Sequence, residues 1–330
     1  MSGLRGARTG SLARLILLAA IWGSSFVWIK VGLRALTPMQ IVFVRLLLGA
    51  GIVLVICAAR GLRLPRDRKL WAHFAVVAVA GNVLPFFLFG VGERHIDSQL
   101  AGILNATTPL WTVLVALAAG TERRMSVARA AGLTLGFAGT LVIFAPWQTR
   151  GGCLGGALAV LGASASYGVL FVYAGRHLAG RGLSPLVLSA GQLTAATVLS
   201  AAALPVGWQA PHWRADAAGS LAVLGLLGTG IAYLLNYRLI TDDGPTLAST
   251  VTYLIPVMAV LFGAAVLGES LNGRELAGMV VVLAGVGLVR TVRTVRTGQP
   301  RYPRRSGGGD AQRGLRRGSG DAAPLAGGRR

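Results

Sequence analysis

Arg45 is the residue of this chain best placed to do chemistry. It stands seven residues past Pro38, inside an otherwise uncharged apolar run spanning Met39–Ala59. An ionised group in such a run is costly in hydrocarbon and faces a cavity, a partner or the polar surface. One reading makes its guanidinium the anchor for a carboxylate or phosphate. The other has it snorkel outward or cap backbone carbonyls at a helix break. Further polar and aromatic side chains interrupt the neighbouring apolar runs: Trp22, Ser24, Asn82, Asn105, Thr108, Tyr167, Gln192, Tyr233 and Tyr253. Gathered round a cavity, they suit a small molecule with polar and apolar parts. Taken singly, each is explained by hydrogen bonding or close packing between helices.

The missing residue types narrow the chemistry. All eleven acids fall in loops, at the ends of apolar runs or in the C-terminal tail, so a proton relay through a central Asp or Glu is not expected. The four histidines, His73, His95, His177 and His212, stand at no metal-ligand spacing, so neither a metal nor a cofactor is expected, and no enzyme activity. Cys57 and Cys153 are expected near opposite membrane faces and therefore unpaired.

The elements that position these residues are apolar spans. The chain has 330 residues, 54% of them hydrophobic and 13% charged, where a soluble domain carries about 25% charge. Ten apolar runs, from Leu12–Val31 to Glu275–Thr294, are each about long enough to cross a hydrocarbon core of ~30 Å as a helix. The loops between them are short, which leaves no room for a soluble domain. Lys and Arg concentrate in alternate loops, notably Arg60, Arg63, Arg66, Arg68 and Lys69, and orient the chain with both termini in the cytoplasm.

The spans form two sets. Leu100–Glu122 recurs 147 residues later as Leu247–Glu269, with Leu100, Ala101, Pro109, Val113, Leu114, Ala118 and Glu122 repeated without a gap. At the same offset Pro38 matches Pro185, Arg45 matches Gln192, Gly81 matches Gly228 and Phe86 matches Tyr233. Each set holds five spans, an odd number, so the second enters the bilayer from the opposite side. Pro109 and Pro256 each remove one helical hydrogen bond and are candidate hinges, or else fixed kinks.

Ten spans in two such halves resemble the EamA family of the drug/metabolite transporter superfamily. The resemblance lies in the Trp22-Gly23-Ser24-Ser25-Phe26 run, the Pro38 to Arg45 spacing, the paired Pro-then-Glu hairpins, and Gly268-Glu269 followed by Gly278 and Gly285. The first half departs from the pattern with Gly120-Thr121-Glu122 in place of an adjacent Gly-Glu. The resemblance implies an all-α integral membrane protein of ten transmembrane helices, built as two inverted five-helix repeats over 11–147 and 152–294. It implies a multi-pass secondary transporter in the cell membrane that moves, with export expected, a small organic metabolite such as an amino acid or drug-like compound by alternating access.

Residues 1–10 are expected to be a cytoplasmic N-terminus, and 295–330 a disordered Gly/Arg-rich cytoplasmic tail. From Thr291 onward there are ten arginines and two acids, within a net charge of +21. The tail is expected to meet anionic lipid headgroups, with no nucleic-acid partner. The alternative function is a non-transporting membrane scaffold or sensor that acts through this tail. Gly132-xxx-Gly136 permits close packing, either within the chain or in a homodimer.

Overall fold

The computed structural model describes residues 2–96, 98–122, 125–145, 153–205, 208–212, 214–267 and 273–296. Asp97, the junction at 146–152, Gly268, Glu269 and the tail from 297 onward lie outside the described residues. Among the described residues all regular structure is helical: α1 (Ser2–Gly32), α2 (Pro38–Ala59), α3 (Arg68–Gly92), α4 (Ser98–Asn105), α5 (Thr108–Ala118), α6 (Val127–Phe144), α7 (Leu154–His177), α8 (Pro185–Ala203), α9 (Ala215–Asp243), α10 (Pro245–Ser249), α11 (Val251–Leu267) and α12 (Gly273–Arg296). Seven of the described helices or helix pairs are long and apolar enough to cross a membrane, and Val127–Ile143 and Pro245–Met258 are shorter apolar helices. Met1–Val292 is one compact unit; of the other, Arg293–Arg330, the described part is the end of α12.

The helix starts follow from local chemistry. Thr37 caps α2 in a reciprocal box: the Gln40 N–H donates to Thr37 Oγ1, and the Thr37 N–H donates to Gln40 Oε1 at 2.8 Å. Pro38 occupies the first turn, where its missing N–H costs nothing. The repeat mates share the cap and the proline but not the reciprocal bond: Ser184 accepts from the Val187 N–H at 3.3 Å and Pro185 follows. Asp67 caps α3, and Ser126 caps α6.

The first copy of the repeated stretch is one apolar run long enough to span, Leu100–Ala118, but is divided into two helices. α4 ends at Asn105 and α5 begins at Thr108, which puts Pro109 in the first turn of a new helix. The equivalent stretch breaks at Thr250 instead, and Pro256 sits inside the continuous helix α11. The two prolines are therefore not equivalent in the fold.

Both α3 and α9 contain a wider, π-helical stretch, Val79–Val83 and Val223–Ile231. At the 147-residue offset the first falls within the second, and each contains the matched glycine, Gly81 or Gly228. Such turns leave carbonyls free to accept from side chains. The Gly228 oxygen accepts from Trp22 Nε1 at 3.1 Å, the Ala80 oxygen accepts from Ser166 Oγ at 2.7 Å, and the Gly81 oxygen accepts from the Tyr233 hydroxyl.

The halves pack on each other throughout. α2 lies on α8 and on the π-helical part of α9, the second half of α3 lies on α7, and α1 lies on α11. The glycine stripe of α6 is used inside the chain: a Cβ on Gly285 of α12 would lie 2.6 Å from the Gly132 oxygen, and one on Gly139 would lie 2.8 Å from the Gly278 oxygen. At one end, Arg14 pairs with Asp242 at 2.8 Å and Ser11 meets Asp243. Glu122 pairs with Arg129 at 2.9 Å and accepts from Thr246 Oγ1 at 3.1 Å, which ties the start of α6 to α10.

Candidate functional site

A cavity of about 50 Å³ lies among α1, α2, α3, α7 and the breaks in α4–α5 and α10–α11. Its lining is aromatic and aliphatic with a few polar groups: Trp22, Ser25, Phe26, Ile29, Arg45, Phe86, Phe89, Asn105, Tyr167, Leu170, Phe171, Thr252 and Ile255. This is the make-up of a small-molecule site, with much apolar surface and few fixed polar groups.

Arg45 is the cation of the lining. It is 3% exposed, which excludes the snorkelling alternative. Its guanidinium carbon stands 3.7 Å above the centre of the Phe86 ring, and its Nε donates to Thr229 Oγ1 at 3.1 Å. The aromatic face stabilises the cation without neutralising it. No carboxylate belongs to the described lining, and Glu93 acts on the Arg45 charge from beyond it. Glu93 is buried at 1% exposure where α3 ends.

Of the sequence candidates, Trp22, Arg45, Asn105 and Tyr167 share this cavity. Asn105 sits at the end of α4 and its carbonyl accepts from Thr108 Oγ1 at 2.7 Å. Ser24 lies outside the lining and bonds back to the Ile21 carbonyl at 2.9 Å, while its neighbour Ser25 faces in. Tyr253 points the other way: its hydroxyl donates to the Leu133 carbonyl at 2.9 Å and its ring packs against Gly136. Thr252 takes the place in the lining beside it.

Asn82, Gln192 and Tyr233 form a second group beyond the cavity wall. Tyr233 meets the rings of Trp22 and Phe86 edge-on at centroid separations of 6.1 and 6.4 Å. Gln192 Nε2 donates to Asn82 Oδ1 at 2.5 Å and to the Val77 carbonyl at 3.1 Å, and Gln192 Oε1 accepts from the Tyr237 hydroxyl at 2.5 Å. All four side chains are buried.

The lining residues that sequence reasoning missed carry a readable signal. Trp22, Ser25, Phe26 and Ile29 recur at i, i+3, i+4 and i+7, and Tyr167, Leu170 and Phe171 at i, i+3 and i+4. That spacing places each set on one helix face. The start of α3 meets the end of α7 through another group read as scattered. His73 Nδ1 is 2.8 Å from the Tyr173 hydroxyl, and the His73 and His177 rings stack at 5.2 Å.

The model of the EamA-like transporter family matches residues 11–145 and again residues 154–291. The chain belongs to the EamA-like transporter family. Its relatives carry transporter names. It is 29% identical over 281 residues to the uncharacterized inner membrane transporter YedA of Escherichia coli, covering 83% of this chain and 89% of that one. An uncharacterized transporter of Archaeoglobus fulgidus is 26% identical over 83% of this chain and 96% of its own length. The uncharacterized transporter YdfC of Bacillus subtilis is 26% identical over 82% and 87%. A solved chain called only "Crystal structure of protein" has the same fold, with a TM-score of 0.70 at 20% identity over 88% of this chain and 99% of that one. This EamA-like chain is thus a membrane-embedded transporter.

Proposed function

We propose that this protein is a secondary transporter of a small zwitterionic or anionic organic metabolite, in the size range of an amino acid. On this reading ten transmembrane helices form two inverted five-helix repeats, with both termini in the cytoplasm, and alternating access proceeds by motion of one repeat against the other. The observation that carries the reading is Arg45, a buried cation over Phe86, in an aromatic cavity whose lining has no acid. A carboxylate on the solute would complete that charge through a charge-assisted hydrogen bond, and the aromatic walls would take an apolar side chain.

The test is uptake of a ¹⁴C-labelled amino-acid mixture by proteoliposomes holding the full chain or a chain ending at residue 296. Accumulation by both supports a transporter. Absence of any accumulation by the full chain sinks the assigned solute class. A scaffold or sensor that acts through its tail predicts no accumulation by either form.

A further inference from the structure

Asn236 of α9 is 0% exposed, and neither its amide oxygen nor its amide nitrogen has a hydrogen-bond partner among the described residues. A primary amide offers two N–H donors and an acceptor with two lone pairs, and buried groups of this kind are nearly always paired. A helix needing only packing here would be better served by leucine, which buries no polar atom.

The surroundings of Asn236 say what the amide faces. It follows Tyr233 by three residues and precedes Tyr237 by one, on the same buried face of α9. Tyr233 closes the wall of the cavity against Trp22 and Phe86. Tyr237 leads to Gln192, and Gln192 to Asn82, whose amide nitrogen is likewise buried without a partner among the described residues. Beyond Tyr233 there is therefore a layer of neutral amides with donors and an acceptor left over. Its counterpart on the cavity side is charged, because Gln192 is the repeat mate of Arg45.

We propose that Asn236 and Asn82, the latter held in place by Gln192, form a second solute subsite, on the far side of Tyr233 from the cavity, that takes an uncharged group able both to donate and to accept hydrogen bonds. The subsite rests on the transporter reading. The Tyr233 hydroxyl, held by the Gly81 carbonyl in the π-helical turn of α3, is the partition between the two subsites. When that contact opens, the solute leaves the Arg45 cation and its polar groups complete the amides of the second layer. A charged subsite thus binds first, and a neutral one, lacking any ionic hold, releases.

The experiment compares wild type and N236L, both full length, in liposomes loaded with unlabelled amino acids and given the ¹⁴C-labelled mixture outside. Leucine is close to asparagine in shape and removes the unpaired amide, so the melting temperature of N236L should equal or exceed that of wild type. Its exchange rate should fall about tenfold while the half-saturating concentration stays within about twofold, since leaving an uncharged polar solute group without its hydrogen bond in transit is of this order. Equal exchange rates in the two proteins would overturn the subsite. So would a fall in exchange matched by a fall in melting temperature, which marks Asn236 as structural. Wild-type protein that exchanges no label overturns the assigned solute class, and the subsite with it.

Discussion

Arg45 donates from Nε to Thr229 Oγ1 at 3.1 Å, and the residues that repeat this pair, Gln192 and Asn82, are bonded to each other at 2.5 Å. The offset of 147 residues links Arg45 to Gln192 and Asn82 to Thr229. The glycine carbonyls are matched at the same offset but their donors are not: Gly228 accepts from Trp22, and Gly81 from Tyr233, whose repeat mate is Phe86. The duplicated sequence is thus expressed as duplicated contacts, each made between one half of the chain and the other. What differs is charge. One copy presents a guanidinium to a cavity, and the other closes amide on amide.

From that asymmetry, Arg45→Ala should weaken the half-saturation of amino-acid uptake by about 10- to 100-fold, the range of a charge-assisted hydrogen bond of about 1.5–3 kcal/mol. Arg45→Lys should recover only part of the affinity, because an ammonium keeps the charge but lacks the planar fork. Measured uptake curves for correctly inserted variants decide the matter. An unchanged half-saturation in Arg45→Ala removes Arg45 from solute binding.

Gln192→Leu should act on stability instead. It strips the partner from Asn82 Oδ1, from the Val77 carbonyl and from the Tyr237 hydroxyl, all buried. Leaving such groups unpaired costs about 1–3 kcal/mol. A clear drop in melting temperature in detergent is expected. A melting temperature equal to that of wild type would mean that these three groups find other partners.

Much of this was legible in the sequence, and the parts that were not share a physical cause. Apolar length marked the spans, and the Pro38 and Pro185 matches coincide with capped helix starts. The cavity was found only in part. Trp22, Arg45 and Tyr167 stand out by residue type, whereas Phe26, Phe89 and Ile255 look like any lipid-facing residue until their helix faces are known. Ser24 and Ser25 cannot be told apart by type, and only the helix rotation separates them. Proline alone does not locate the helix breaks. Pro109 starts a helix, while Pro256 continues one whose break falls at Thr250, where Ser249 and Thr252 supply local hydrogen bonds. The π-helical turns left no mark in composition beyond Gly81 and Gly228.

The glycine contact between α6 and α12 gives a stability prediction with its own control. In Gly285→Ala the new methyl would meet the Gly132 oxygen at 2.6 Å and the Gly136 nitrogen at 2.5 Å, both backbone atoms that cannot swing aside. Such overpacking costs about 1–3 kcal/mol. At Gly287, two residues along the same helix, an added Cβ would have nothing within 4 Å, so Gly287→Ala should be neutral or slightly stabilising. Thermal melts of the two variants should diverge. Equal melting temperatures would show that α6 and α12 are free to separate.

The cysteines test the orientation without any engineering. Cys57 lies near the end of α2, buried, with its Sγ 4.0 Å from the Leu186 carbonyl oxygen. The basic run Arg60–Lys69 follows it and leads into α3, and His73 at the start of α3 touches Tyr173 near the end of α7. The end of α2, the start of α3 and the end of α7 therefore share one membrane face. Cys153, exposed and immediately before α7, is a whole helix away at the other. If the basic run is cytoplasmic, Cys153 faces outward. A membrane-impermeant maleimide added to intact cells should then label the wild-type chain once, at Cys153, and Cys153→Ser should abolish the label. Cys57 should react only after denaturation. Labelling of Cys153 confined to inside-out vesicles would reverse the topology, and with it the side from which Arg45 meets its solute.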